Sequence, residues 1–184
     1  MRPLIPSSLV KFSLSFNKDL TYSALDLIPL LNRLPTTLRR LSIAYVTYDK
    51  RVNRRPSMKN YSDDRHYPNF PLDSLCRFTS LQTLTLHRFQ GPSLAILRTL
   101  TKSSPSLQSI DFLYSHWIPH DRTALLTPES MFPSTEIYDT LCTFPSLHYI
   151  HFGYLPTSRR EDYEGLLDKL PERGIRADWM ECRC

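Results

Sequence analysis

Glycine is scarce in this chain, with four residues among 184 against fifteen prolines. Loops that cradle a dinucleotide or a phosphate need glycine where backbone approaches ligand, so a Rossmann or P-loop site is not expected. Many prolines instead fix the corners of the chain. Cysteine is equally sparse: Cys76, Cys142, Cys182 and Cys184 lack the paired spacing of a zinc module. Reduced thiols are expected, with Cys76 in "SLCRF" and Cys142 in "TLCTF" packed on apolar faces.

Long apolar runs are also missing, and none approaches the roughly 18 to 20 residues of a membrane span. Pro3, Pro6 and Lys11 interrupt the region where a secretory signal needs its apolar segment, which places the chain inside the cell, in cytoplasm or nucleus. There is no Gly-x-Ser-x-Gly elbow. The acidic pairs Asp63-Asp64 and Glu161-Asp162 fall in a loop and at a helix start, where solvation and the helix dipole account for them. "SHWIPHDR" brings His116, His120 and Asp121 together, but Pro119 prevents the helical spacing that would join two histidines on one face. No enzyme, cofactor or metal is expected.

What the chain does contain is a repeated string. "SLQTLTLHRF" begins at Ser80 with Leu81, Leu84 and Leu86 at alternating and three-residue steps. "SLVKFSLSF" at Ser8, "TLRRLSIAY" at Thr37, "SLQSIDFLY" at Ser106 and "SLHYIHFGY" at Ser146 repeat it. The leading leucines, Leu9, Leu38, Leu81, Leu107 and Leu147, are 29, 43, 26 and 40 residues apart. Periods of about 20 to 29 residues suit stacked strand-and-helix units, and the two longer steps hold insertions, placed at 48–72 and 113–133. The strands are expected near 9–15, 38–44, 81–87, 107–113 and 147–153. A sixth is expected near 175–179, where Ile175, Ala177 and Trp179 share one side.

Helices are expected between them, over Leu20–Leu34, Pro92–Lys102, Ser134–Phe144 and Arg159–Leu170. Pro29 shortens or kinks the first, and Pro92 suits the opening turn of the second. In the last, Ser158 and Glu161 form a capping box, Tyr163, Leu166, Leu167 and Leu170 make one apolar face, and Pro171 stops the helix.

The strings "SLQTLTL", "PSLQSIDF" and "FPSLHYIHF", alternating with helices and closing on "LPERGIRADW", resemble the irregular leucine-rich repeat regions of fungal F-box-like proteins. The resemblance implies an α/β fold, a single-domain solenoid over 1–184 with a curved parallel sheet on its concave side and helices on its convex side. It also implies a role in substrate recognition within an F-box-type ubiquitin ligase receptor. Two features depart from that pattern. The polar residue eight places after the leading leucine is Asn17 in the first unit but Val46, Phe89, Ser115 and Leu155 in the others. An F-box helical module is not evident before Leu9, so ligase membership is an analogy.

Apolar alternates of such strands point inward, leaving columns of intervening residues on the sheet face. The first is Lys11, Arg40, Thr83, Ser109 and Tyr149; the second is Ser13, Ser42, Thr85, Asp111 and His151; the third is Ser15, Ala44, His87, Leu113 and Gly153. Lys11, Arg40, Ser42, Thr83, Thr85, His87, Ser109, Asp111, Tyr149 and His151 are therefore the candidate partner-binding residues. Hydroxyls mixed with a few charges suit a protein or peptide partner bound by a monomer, although the same columns also fit an ordinary solvated sheet face.

Other readings stay open. The formal net charge is +5, and "YDKRVNRRPSMKNYSDDRHY" concentrates much of the basic character. Its 50–59 stretch, with Lys50, Arg51, Arg54, Arg55 and Lys59, reads as a solvated insertion, a nucleic-acid or polyanion contact, a nuclear localisation patch, or a kinase site at Ser57. The terminal Cys182-Arg183-Cys184 is similar to a doubly prenylated tail, but the chain lacks the GTPase domain that accompanies one. A further reading is a piece of a longer product whose function lay upstream.

Overall fold

A computed structural model describes residues 6–17, 27–46, 70–89, 94–113, 134–156 and 160–182. Six strands form one all-parallel sheet in chain order: β1 (Lys11–Asn17), β2 (Arg40–Val46), β3 (Thr83–His87), β4 (Ser109–Asp111), β5 (Tyr149–Pro156) and β6 (Arg176–Cys182). The helices are α1 (Leu27–Leu31), α2 (Leu94–Ser103), α3 (Ser134–Cys142) and α4 (Arg160–Lys169). Short 3-10 turns lie at Leu72–Arg77 and Leu170–Arg173. The first 3-10 turn packs on α2, α2 on α3 and α3 on α4, so the helical layer runs in the same order as the strands.

Strand alternation decides which face meets that layer. Leu41 and Ile43, Leu84 and Leu86, Ile110 and Phe112, and Ile150 and Phe152 are all buried, while the residues between them are half-buried or exposed. Against the sheet lie Leu31, Leu34, Ile96, Leu97, Leu100, Ile137, Leu141, Tyr163, Leu166 and Leu170, all in one core cluster. Parallel sheets are ordinarily covered on both sides and built from continuous apolar strands. This one alternates, and its second face is polar.

The leading leucines are buried, apart from half-buried Leu9, but they precede the strands by two residues. Leu9, Leu38, Leu81 and Leu107 each donate a backbone N–H to the carbonyl three residues earlier, those of Pro6, Pro35, Phe78 and Ser104. The Ser/Thr-Leu pair thus closes a turn, and the strands start later than the spacing predicts. Each turn hands its alignment to the next unit. The Val10 carbonyl accepts the N–H groups of Arg39 and Arg40, that of Arg39 accepts Gln82 and Thr83, that of Gln82 accepts Gln108 and Ser109, and that of Gln108 accepts His148 and Tyr149.

Several expectations are refined. The described part of the first helix is Leu27–Leu31, with exposed Pro29 inside it. The last α-helix ends at Lys169, one residue short of the expected Leu170 and just before Pro171, and a 3-10 turn then carries the chain to Gly174, whose φ of 73° supplies the left-handed cap. Cys76 is exposed rather than packed, because Leu75 takes the inward position of the 3-10 turn, and Cys142 is half-buried. Ala177 packs on the core, but Trp179 is 39% exposed. Ser104 is fully buried where the turn before the next leucine carries Phe78 or Phe144, and its hydroxyl donates to the Phe78 carbonyl at 2.8 Å.

The basic segment 50–59 with Ser57, the histidines 116 and 120, the capping serine 158, Pro92 and the final residues 183–184 lie outside the described residues, as do nearly all positions of the expected insertions. Among the described residues, no helix is long and apolar enough to cross a membrane.

Candidate functional site

The strand register aligns the polar face into rows that cross the sheet. Lys11, Arg40, Thr83, Ser109, Tyr149 and Arg176 are successive partners, as are Ser13, Ser42, Thr85, Asp111, His151 and Asp178. A third row, Ser15, Ala44 and His87, spans three strands. It does not continue through Leu113 and Gly153 as the alternation predicts, for two physical reasons. Strand β4 ends at Asp111, and the β5–β6 register shifts between His151 and Tyr154 around Gly153, whose φ of 80° favours glycine.

Every one of the ten candidate residues lies on this face, but the structure joins only some of them. His87, one strand away and one row along, reaches diagonally to Asp111, its Nε2 3.4 Å from Oδ2. A carboxylate can only accept, so the His87 N–H donates. The other oxygen, Oδ1, accepts the Leu113 backbone N–H at 2.9 Å and lies 3.9 Å from His151 Nδ1. That nitrogen accepts the Gly153 N–H at 3.0 Å, which puts the proton of neutral His151 on Nε2.

These contacts shift the titrations in opposing ways. Burial pushes the Asp111 pKa up, but the His87 hydrogen bond, the Leu113 N–H and the charges of both histidines outweigh it and leave the carboxyl below its ordinary 3.8. Burial dominates at His151 and holds it below 6.5, against the pull of Asp111 and Asp178. Tyr149 is raised above 10.0, first by burial and then by the charge of Asp178 and a hydrogen bond to it.

Arg176 and Asp178 extend the rows onto β6 and were not among the expected residues. Arg176 grips Asp178 through two bonds, Nη2 to Oδ2 at 3.0 Å and Nε to Oδ1 at 3.4 Å, and its guanidinium carbon sits 5.9 Å from the Tyr149 ring centre. The signal for them was present. With Ile175 and Ala177 facing the core, alternation already sends Arg176 and Asp178 to the other side.

The face is thus divided. On β4–β6, with His87 at the boundary, carboxylates, imidazoles, a phenol and a guanidinium bond to one another. On β1–β3, Lys11 and Arg40 join no described residue by an ion pair or side-chain hydrogen bond, and their neighbours are hydroxyls. Among the described residues, no three His, Cys, Asp or Glu side chains are placed to hold a metal ion.

No protein-family model matches the chain, and no curated protein sequence or solved structure matches it either.

Proposed function

We propose that the chain is a solenoid of leucine-rich-repeat type that binds a protein partner on its polar sheet face. The supporting observation is the pair of polar rows running in register across the six strands of a sheet whose opposite face, over β2 to β5, is buried in the core. Such a face offers side chains from successive units on one rigid surface, the arrangement by which stacked repeats present extended binding sites. The recurring turn and the carbonyl that accepts two N–H groups from the next unit support the repeat reading. In its fuller form, drawn from the resemblance to F-box-like proteins, the partner is the substrate of a ubiquitin ligase.

Photo-crosslinking in cells tests the face directly. A photoreactive residue at Thr83 or Ser109 should capture one discrete protein, while the same probe at exposed Thr135 or Lys102 on the helical side should not. Capture only from the helical side, or none from the sheet, removes this reading. If the captured protein is a ligase substrate, its half-life should also lengthen when the chain is deleted.

A further inference from the structure

We propose that the β1–β2 end of the polar face is the seat of a short acidic peptide segment. This rests on the protein-binding reading and assigns the chemistry of one half of that site. Lys11 and Arg40 are direct register partners on parallel neighbours, so their backbones lie about 4.8 Å apart. Like charges placed opposite one another in a sheet oppose pairing.

No acid within the sheet offsets them. The nearest carboxylate in the rows, Asp111, stands two strands beyond β2, roughly 10 Å away and about one screening length at physiological salt. It is held by His87 and the Leu113 N–H, and Asp178 is held by Arg176. Among the described residues, then, no acid pairs with Lys11 or Arg40, and both side chains are exposed to an outside anion. Around them Ser13, Ser42, Thr83 and Thr85 present hydroxyls able to donate to carboxylate oxygens.

The dimensions favour a peptide over a nucleic acid. From β1 to β3 is about 10 Å, the length of three extended residues at about 3.3 Å each. A polyphosphate chain continuing along the rows meets Asp111, which shares its sign, and then the Arg176–Asp178 pair, which offers no net positive charge, whereas a short acidic stretch ends before them.

Fluorescence anisotropy with a labelled hexaglutamate peptide, the purified full chain and about 50 mM salt tests the assignment. Binding should weaken at least about tenfold in Lys11→Glu/Arg40→Glu, less in Lys11→Gln/Arg40→Gln, and not beyond about twofold in Lys102→Glu, which makes the same charge change on the helical side. Circular dichroism identifies any variant that fails to fold, and the glutamine pair then decides. No binding up to about 1 mM, binding indifferent to Lys11 and Arg40, or tighter binding of a single-stranded oligonucleotide through the same two residues each overturns the inference. If sheet-face crosslinks persist while hexaglutamate fails, this assignment falls and the protein-binding reading stands; if the crosslinks are absent, the reading itself has failed.

Discussion

Asp111 carries two interactions that different substitutions separate. Its Oδ1 caps the Leu113 N–H just past the end of β4, and its charge attracts His87 and His151. Asp111→Asn keeps an acceptor for Leu113 and loses the charge, whereas Asp111→Ala loses both. A hydrogen bond to a charged group contributes about 1.5–3 kcal/mol and a neutral one about 0.5–1.5. The Asp111 side chain is 27% exposed, so water takes over part of what is lost. We expect a destabilisation of about 1–2 kcal/mol for alanine and about half that for asparagine at pH 7. With a urea slope of about 2 kcal/mol per molar, the midpoint falls by about 0.5–1 M and about half as much. The pH dependence adds a second check. A folded pKa below 3.8 stabilises the native state above that value, and the contribution disappears as pH falls through the folded pKa. The gap between wild type and Asp111→Asn should therefore close below about pH 3.8. Equal losses for the two variants, or a gap unchanged by acid, would refute the assignment of separate capping and charge roles.

Ile110→Ala removes a fully buried side chain between Leu84 and Ile150 and should cost about 2–5 kcal/mol, while Ser109→Ala on the opposite face should stay within about 0.5 in the same urea titration. Comparable costs would mean that the assigned faces are wrong. His151 has a folded pKa below 6.5, so its contribution is intact above that pH and declines on acidification; the stability lost from pH 7 to pH 5 should shrink in His151→Gln, and an identical loss in both would exclude this source. Tyr149, raised above 10.0, contributes below that pH and loses its contribution as pH rises past it, so Tyr149→Phe should be less alkali-sensitive than wild type in the same titration.

Register was the most legible property of the chain. One apolar alternation, repeated behind a Ser/Thr-Leu pair, sufficed to align Lys11 with Arg40 and Asp111 with His151, because a slip by one residue would turn the leucines to water. Strand starts were less legible, since the same leucines also close turns, and a sequence pattern does not separate a buried turn residue from a buried strand residue. Ser104 was hidden for a different reason: its burial depends on a carbonyl 26 residues earlier in the chain. The His87–Asp111 contact runs diagonally between rows, so it depends on side-chain direction rather than on alternation. The neutralisation of Asp178 by Arg176 follows from the same alternation that placed Ile175 inward, applied one strand further than the expected columns went.

The carbonyls of Val10, Arg39, Gln82 and Gln108 connect only sequence neighbours, and no strand bonds to one two places away. Nothing in that scheme sets a total number of units. On the proposed solenoid reading, a further turn-strand-helix module inserted between β3 and β4 would meet compatible edges on both sides, so the sheet could lengthen by one strand without remaking the bonds of its neighbours.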